Sequence, residues 1–324
     1  MSHVKNLAES ASLEELYTQL KPMHVGPGWN KPTPSLWESP RKTFVPVHWR
    51  YREAKAALDA AGRLVNTELA ERRNLILYNP VPGNDYATTR TLLAAYQMIL
   101  PGERARSHRH TPNALRLIVD AEPGAYTVVD GVKLLMDPGD VLLTPNWSWH
   151  GHGNESHAPA YWIDFLDTPL IHALEPMFFE PHPQIYEPIA RVAAESPMRF
   201  SWKDTLRRLD ESAADSSGPY GTQIALGDPA MKTIGLYMMR LSAGVTTVSH
   251  RTTANNIYAV AKGEGETLID GTRFSWARGD VMAVPAWRSH SHTASSDAVL
   301  LRVTDAVLLK PLNLLREDIL PSPV

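Results

Sequence analysis

The sequence predicts an all-β protein that contains two copies of one small barrel behind an N-terminal helical arm. Short apolar segments with a period of two residues fill two stretches, 75–165 and 234–309, and most are separated by Gly or Pro. Successive side chains of a strand point to opposite faces, so this period is typical of strands. So many short strands favour a β-sandwich or a barrel.

The composition is that of a globular protein and excludes several kinds of partner. Of 324 residues, 43% are hydrophobic and 21% are charged, which is ordinary for globular chains. The net charge of -3 gives no basic surface for nucleic acid or anionic lipid. No apolar run approaches the roughly 20 residues that a membrane span needs, and the polar N-terminus has no signal-peptide core. We therefore expect a cytoplasmic protein that binds neither nucleic acid nor membranes.

Residues 1–74 predict a helical arm rather than a domain. The stretch 13–20 has helical spacing, with Ser12 as its N-cap, and 51–64 interleaves Ala with charged residues in a second helical pattern. Between them, 25–46 is rich in Pro and Trp and predicts an ordered loop. Because regular apolar patterning is sparse, we expect the arm to pack on a barrel or on a neighbouring subunit.

Residues 75–170 predict the first barrel. Seven segments have strand character: 75–78, 92–100, 115–119, 125–129, 132–136, 141–144 and 160–165. Residues 171–232 differ, because they contain mostly helical or irregular patterns and a small-residue loop at 212–221. Strand patterns return in 233–324, which predicts the second barrel.

The two barrels share landmarks in the same order and at a nearly constant offset. The matched landmarks are Gly102 and His108 with Gly244 and His250, Asp130-Gly131 with Asp270-Gly271, and Gly139, Pro145 and His150 with Gly279, Pro285 and His290. Asp-Gly pairs are typical of type I′ hairpins, and the agreement as a whole indicates a duplicated unit. The second copy departs from the first, because Thr252 stands at the place of His110 and Tyr258 at the place of Arg116. We therefore expect the second barrel to be a degenerate, structural copy.

Three histidines of the first barrel form a candidate metal site. His108 and His110 are two residues apart, so on a strand both rings lie on one face. In an antiparallel barrel, the later strand that carries His150 can lie beside them. The chain has no cysteine, so its metal ligands must be His, carboxylate or carbonyl groups, and imidazole suits Fe, Ni, Cu and Zn. An isolated His-x-His is usually an ordinary core or surface feature, but the spacing of Gly, Pro and His150 favours the metal site.

These motifs resemble a known family. Residues 102–110 and 139–154 are similar to the two cupin motifs, so the chain resembles a bicupin. More narrowly, the chain is similar to the gentisate and salicylate 1,2-dioxygenases in three segments: His-Arg-His-Thr-Pro-Asn-Ala-Leu-Arg at 108–116, Glu-Arg-Arg at 71–73 and Tyr-Trp-Ile-Asp at 161–164. The resemblance covers most of the chain, including the arm.

The resemblance implies an Fe(II)-dependent dioxygenase of the extradiol type. Such an enzyme uses O₂ to cleave the ring of gentisate or a substituted salicylate between the carboxyl- and hydroxyl-bearing carbons, and both oxygen atoms enter the product. Many cupins have a Glu as a fourth ligand. The equivalent position here is near Ala114, and no Glu stands there. Three neutral imidazoles leave the ion its full positive charge, which favours an anionic, bidentate ortho-hydroxy aromatic acid. The resemblance also implies a homo-oligomer, for which we expect a homotetramer.

Two further residues are candidates for catalysis and substrate binding. Arg116 lies an even number of positions from His110, so it can face inward, and its planar fork matches a carboxylate. His152, two residues beyond His150, can hydrogen-bond a substrate hydroxyl or relay a proton. The alternatives are a surface arginine and a surface loop histidine.

Other substrate contacts follow from the resemblance alone. It implies that Gln97 and Asp164 lie near the substrate. An alternative role for Asp164 is to orient a ligand histidine through that histidine's second ring nitrogen. Of Arg72 and Arg73, one is expected to reach the pocket from the arm and the other to be a solvated charge, and we predict that Arg72 binds the substrate.

The substrate and the reaction class have alternatives. Leu92 and Leu93 occupy a strand where a salicylate-cleaving enzyme is expected to carry an aromatic residue. Gentisate, salicylate, 5-nitrosalicylate or another 5-substituted salicylate, and a hydroxynaphthoate therefore all stay open. Three neutral imidazoles with one water also form a zinc hydrolytic site, which permits a zinc hydrolase or isomerase. The third alternative is a non-catalytic bicupin that binds a small acid.

Overall fold

The computed structural model describes residues 7–212, 218–227 and 231–321. Residues 213–217 of the predicted small-residue loop at 212–221 therefore lie outside the described residues. The chain forms two compact units, Met1–Arg41 and Lys42–Val324. None of the helices within the described ranges is long and apolar enough to cross a bilayer.

The described part of the first unit includes a short helix with a side-chain cap. Helix α1, Leu13–Leu20, begins after Ser12, whose hydroxyl oxygen accepts a hydrogen bond from the backbone N–H of Glu15 at 3.2 Å. Such a cap satisfies one of the backbone donors that a helix leaves free at its start. A 3₁₀ turn, Lys21–Met23, follows directly. The predicted helix and its N-cap are confirmed.

The second unit starts with a short strand and a helix and continues into the first barrel. Its elements up to residue 210 are β1 Val47–Trp49, α2 Tyr51–Leu64, β2 Arg73–Ile76, β3 Leu93–Ile99, β4 Arg104–His110, β5 Ala114–Asp120, β6 Ala125–Val129, β7 Val132–Leu135, β8 Val141–Thr144, β9 His150–Asn154, β10 Ala160–Leu166, α3 Thr168–Leu174, β11 Phe179–Pro181, β12 Arg191–Val192, β13 Arg199–Phe200 and α4 Trp202–Asp210. All seven predicted strands are present, and their ends differ from the predicted ends by at most two residues.

Two six-stranded sheets form the first barrel. Their strand orders are β13-β8-β5-β10-β3-β2 and β11-β4-β9-β6-β7-β12. Apolar side chains from both sheets, among them Ile118, Val129 and Trp162, pack into one buried core. Burial of this apolar surface is the main favourable contribution to the stability of the barrel.

The second barrel repeats this arrangement. Its elements are β14 Thr222–Ala225, β15 Gly235–Leu241, β16 His250–Thr252, β17 Asn256–Lys262, β18 Glu264–Ile269, β19 Thr272–Ala277, β20 Val281–Val284, β21 His290–Ala294, β22 Ala298–Thr304, α5 Ala306–Leu309 and β23 Glu317–Ile319. Its sheets have the orders β1-β20-β17-β22-β15-β14 and β19-β18-β21-β16-β23. Asp130 and Asp270 both have a φ of 45° in the predicted hairpin turns, so the duplication extends to the backbone. The predicted all-β fold with two barrels is confirmed.

The segment in front of the first barrel completes the second barrel. Strand β1 pairs antiparallel with β20. Asp280 lies at the turn before β20, and its carboxylate lies 2.9 Å from the His48 ring and accepts the backbone N–H of Tyr51 at 2.8 Å. This carboxylate caps the first turn of α2, where the helix leaves N–H groups free. Residues 47–51 of the arm therefore contact the second barrel, whereas the rest of α2 lies against the first barrel, where Lys55 Nζ is 3.2 Å from the Tyr161 hydroxyl.

The segment in front of the second barrel completes the first barrel in the same way. Strand β13 pairs antiparallel with β8. Asp140, at the equivalent turn, accepts hydrogen bonds from Arg199 Nε and from the backbone N–H of Trp202, both at 2.7 Å. The two barrels thus exchange the equivalent short strands β1 and β13. Neither strand was predicted from the sequence, and the predicted domain limits at 74, 170 and 232 stay a proposal.

A substitution at Gly139 tests how tightly the turn before β8 packs against Trp202. Its φ is +89°, and a Cβ atom at this position would lie 2.5 Å from the Trp202 ring. We expect Gly139→Ala to lower the free energy of unfolding by about 3 kcal/mol, because left-handed backbone strain and overpacking add. Denaturant unfolding measures this loss.

Gly102→Ala is the matched control. Gly102 has a φ of +76°, and no atom lies within 4 Å of the added Cβ. We expect this variant to lose only about 1 kcal/mol from backbone strain. Equal losses in the two variants would contradict close packing of Trp202 on the turn.

Candidate metal centre

Strands β4 and β9 bring the three predicted histidines together. His108 and His150 are direct partners across the two strands. The ring centroids of His108 lie 4.5 Å from those of His150 and 5.6 Å from those of His110, and the third pair is 4.8 Å apart. One ligand nitrogen from each ring lies within 4.8 Å of the other two. The predicted cluster of three histidines is confirmed.

A β-bulge in β4 places the histidine rings on the same face of the sheet. Ala105 pairs with His152, but three residues later His108 pairs with His150, so β4 contains one extra residue at this point. An extra residue reverses which face each later side chain occupies. Without it, His108 would lie on the opposite face of the sheet from His150.

Backbone carbonyls fix the tautomer of each ring. The Nδ1 atoms of His108, His110 and His150 lie 3.3, 2.8 and 3.0 Å from the carbonyl oxygens of Arg106, Pro112 and Ser148. A carbonyl only accepts, so each Nδ1 carries the proton and each Nε2 keeps a free lone pair. Histidines that bind a metal commonly donate their other ring N–H to a carbonyl in this way.

The histidines are neutral at ordinary pH. Burial lowers the pKa of His108 to about 3, with a contribution from the charge of Arg72. Burial also lowers the pKa of His110 and holds that of His150 well below its usual value. Neutral imidazoles with free Nε2 lone pairs fit a divalent metal ion of the imidazole-binding class. The residues present therefore fit the metal that the sequence predicts.

A small cavity lies beside His110 and His150. Its volume is about 150 Å³, comparable to a cavity that holds one benzene molecule. Its walls combine polar with apolar side chains, among them Arg72, Asn74, Gln97, Arg116, Asp164, Ile76, Leu93 and Leu166. Four of the predicted substrate-binding residues therefore line one cavity next to the histidines.

Arg116 is the centre of a buried polar network. Its side chain is only 1% exposed, and its Nε lies 3.2 Å from Asp164 Oδ1. Its Nη1 donates to Thr127 Oγ1 at 2.9 Å and lies 2.7 Å from Nδ1 of His152. The fifth predicted residue, His152, thus contacts the network through Arg116 and is not among the residues that line the cavity. The alternative of a surface arginine and a surface histidine is wrong.

A second arginine joins the network from the other side. Arg72 Nε donates to Gln97 Oε1, and Gln97 Nε2 donates to Asp164 Oδ2 at 2.5 Å. Arg73, by contrast, is buried and pairs with Glu103 away from the cavity. Of the two arm arginines, Arg72 is therefore the one that reaches the pocket, and Arg73 is not a solvated charge. Asp164 hydrogen-bonds Gln97 and pairs with Arg116, whereas backbone carbonyls orient the ligand histidines.

Asn74 also lines the cavity and was not predicted from the sequence. Asn74 lies opposite Gln97 across β2 and β3. Arg72, Asn74 and Ile76 all line the cavity and are spaced by two residues. The alternation of side chains along a strand that includes Arg72 could have predicted that Asn74 lies on the same face.

The second barrel holds no comparable group of ligands within the part of the chain that the structure describes. Its His290 Nε2 lies 2.8 Å from the hydroxyl of Tyr258, and its His292 Nδ1 lies 2.8 Å from Thr267 Oγ1. The contact of His290 occupies Nε2, the nitrogen through which the ring would bind a metal. The equivalent of His110 is Thr252, in agreement with the interrupted motif.

Comparison with known proteins identifies the family. A model of the cupin domain matches residues 95–166. The chain is 32% identical to a 5-aminosalicylate 1,2-dioxygenase from Comamonas sp over 343 aligned positions, which cover 96% of this chain and 91% of the relative. This chain belongs to the gentisate and salicylate 1,2-dioxygenase family. The predicted family and the predicted enzyme class, a ring-cleaving 1,2-dioxygenase, are confirmed.

Further relatives agree with this membership. Gentisate 1,2 dioxygenase 1 from Aquipseudomonas alcaligenes is 32% identical, with 98% of this chain and 99% of the relative covered. The crystal structure of a salicylate 1,2-dioxygenase from Pseudaminobacter salicylatoxidans matches with a TM-score of 0.86 at 28% identity, covering 96% of this chain and 98% of that chain. That enzyme has also been solved with gentisate. The similarity therefore extends over both barrels.

Removal of one ring tests the metal centre. We expect His110→Ala to bind its divalent metal at least about 100-fold more weakly, because loss of a ligand should exceed the effect of losing a hydrogen-bond partner of a ligand. Metal content after dialysis, measured by atomic emission, reports this loss. Far-ultraviolet circular dichroism should stay unchanged, since His110 is only partly buried.

His250→Ala is the control for that variant. His250 is the second-barrel equivalent of His108, and neither of its ring nitrogens has a hydrogen-bond partner. Removal of the His250 ring breaks no hydrogen bond and should leave the metal content unchanged. Full metal content in His110→Ala would remove His110 from the ligand set.

Proposed function

We propose that this protein is an Fe(II)-dependent dioxygenase of the extradiol type. Its substrate would be gentisate or a 5-substituted salicylate, cleaved between the carboxyl- and hydroxyl-bearing carbons with both atoms of O₂ incorporated. The observation that carries this proposal is a group of three neutral histidines beside a cavity of about 150 Å³ that is lined by two arginines. A neutral ligand set and a cationic cavity together favour an acid that is also a metal chelator.

His108, His110 and His150 would hold the iron through their Nε2 atoms. Because no carboxylate joins them, the ion would keep its full positive charge and attract an anionic bidentate ligand. When bound, Fe(II) would supply the redox chemistry between the aromatic ring and O₂. Three imidazoles also suit zinc, and membership in a dioxygenase family supports iron over a zinc hydrolase.

Arg72 and Arg116 would bind the substrate carboxylate. Arg72 uses its Nε for Gln97, and the nearest carboxylate oxygen to its Nη1 is that of Glu71 at 3.8 Å, which leaves its outer nitrogens available. Arg116 uses Nε and Nη1 within the network, but its Nη2 has only a long contact of 3.4 Å with Thr144 Oγ1. Each guanidinium therefore has at least one donor left for a carboxylate oxygen. Gln97 and Asp164 hold both side chains in place.

His152 would donate a proton or a hydrogen bond during the reaction. Arg116 Nη1 lies 2.7 Å from Nδ1 of His152 and 3.1 Å from its Nε2, and because an arginine N–H can only donate, the ring accepts a hydrogen bond from Arg116 through one of these nitrogens. Burial keeps the pKa of His152 well below its usual value, and the charge of Arg116 adds to this effect. The neutral ring would thus keep one N–H for a substrate hydroxyl. The positioning of this ring depends on Arg116 and Thr127.

The size of the cavity supports a substrate with one ring. Gentisate and 5-aminosalicylate, named in two relatives, are both salicylates with a polar group at the 5-position. A relative that acts on 1-hydroxy-2-naphthoate also exists, but two fused rings need more than about the 150 Å³ that holds one benzene ring. The homotetramer and the cytoplasmic location stay predictions.

Oxygen consumption on a panel of acids tests the reaction. We expect iron-loaded protein to consume O₂ with gentisate and with 5-aminosalicylate, and zinc-loaded protein to consume none. We expect kcat/KM for 1-hydroxy-2-naphthoate to be at least about tenfold lower, because overpacking costs about 1–3 kcal/mol. Mass spectrometry of the product formed under ¹⁸O₂ should detect two labelled atoms. Turnover by the zinc-loaded protein with no O₂ consumed would favour a hydrolase instead.

Arg72→Gln tests the binding of the carboxylate. We expect KM for gentisate to rise about 10- to 100-fold, since a hydrogen bond to a charged group contributes about 1.5–3 kcal/mol. The metal content should not change. The control is Arg106→Gln, because Arg106 is half exposed and pairs only with Glu71 at 3.8 Å. A KM that is the same in both variants would assign the carboxylate to another side chain.

A further inference from the structure

The second barrel contains a cavity of its own at the place equivalent to the substrate cavity. Its volume is about 160 Å³, and Arg302 and Asn256 line it. Arg302 on β22 is the cross-strand partner of Tyr258 on β17. In the first barrel the equivalent pair is Asp164 on β10 and Arg116 on β5. The second barrel has therefore lost the carboxylate of this pair and carries its arginine on the other strand.

Arg302 is a buried cation without a counter-ion. The residue is 5% exposed, and its guanidinium lies 3.7 Å above the Tyr220 ring and 4.5 Å from the Tyr237 ring. Among the residues that the structure describes, no Asp or Glu oxygen lies within 4.0 Å of it, and its Nε is buried with no hydrogen-bond partner. Aromatic rings attract a cation but do not neutralise it. A buried charge without a partner costs several kcal/mol, so an anion at this position is strongly favoured.

The one carboxylate in the cavity makes no ion pair with Arg302 among the described residues. Glu317 lines the cavity, and its Oε1 accepts the Tyr220 hydroxyl at 2.6 Å. The exposed Lys310 at the rim adds a second cation, so the cavity keeps a net charge of one positive unit. Burial lowers the pKa of the adjacent His250 to about 4, with a contribution from Arg302, so this ring stays neutral.

A further polar atom in the cavity has no protein partner. Asn256 occupies the place of Ala114, and its side-chain carbonyl oxygen is buried with no hydrogen-bond partner. Such an atom accepts a hydrogen bond from a donor, for example a bound water or a ligand hydroxyl. The cavity therefore offers a donor group and an acceptor group side by side.

We propose that this cavity binds a small carboxylate with a single negative charge, no larger than one aromatic ring. Arg302 is its counter-ion and Lys310 adds attraction at the rim. Among the described residues of this barrel no three ligand nitrogens converge, so the acid would bind without a metal. The second barrel is thus a ligand-binding copy, and the proposal is independent of the reaction in the first barrel.

Counting bound benzoate tests the proposal. The full-length, metal-loaded protein is dialysed to equilibrium against radiolabelled benzoate. We expect the wild-type protein to bind one benzoate more per chain than Arg302→Met, a variant that keeps an unbranched apolar side chain between the tyrosine rings. Because Arg302 lies outside the first barrel, kcat for gentisate should be unchanged in this variant. Benzoate bound equally by Arg302→Met would overturn the proposal.

Two further measurements test the proposal even if Arg302→Met does not fold. Lys310→Glu changes an exposed residue, and we expect at least a fivefold loss in benzoate affinity with an unchanged melting temperature. Benzamide has the same shape as benzoate without its charge and should not displace it. Equal affinity in Lys310→Glu, or equal binding of benzamide, would show that the cavity does not recognise an anion.

Discussion

The pairing register between β4 and β9 is the constraint on which the metal centre depends. The bulge in β4 makes His108 the partner of His150 and turns His110 to the same side. Because side chains alternate on a strand, a slip of one residue would move two of the three rings to the opposite face of the sheet. The carbonyl groups that orient the rings belong to residues two positions away in the chain. Register and tautomer are therefore fixed by the same short segments.

Charge distinguishes the two barrels more clearly than shape does. In the first barrel, Asp164 compensates Arg116, and Arg72 and the neutral histidines leave a positive cavity for an acid. In the second barrel, Arg302 has no such compensation and Tyr258 blocks His290. The same backbone thus supports one site for a chelating acid with a metal and one cavity for an anion alone. Function in this fold is determined by a few side chains on equivalent strands.

Much of the architecture could be predicted from the sequence, because it depends on local periodicity. The period of two residues located the seven predicted strands of the first barrel, and the spacing of Gly, Pro and His located the ligands. The short strands β1 and β13 could not be found, since two or three residues carry no period and gain their structure from the partner barrel. Which of Arg72 and Arg73 faces the cavity likewise depends on the position of β2, because neighbouring side chains point to opposite faces. The uncompensated charge of Arg302 appears only when the neighbours of each strand are known.

The exchange of segments between the barrels has a consequence for how the chain is made. During synthesis the first barrel lacks its edge strand until Arg199 and Phe200 have left the ribosome. Strand β1, although made earlier, has no partner until β20 of the second barrel has emerged. Domains usually fold in order from the N-terminus, but here β1 is incorporated only after the first barrel has been synthesised. A nascent chain that stops between the barrels would therefore expose an unpaired edge, which is a site for association with other chains.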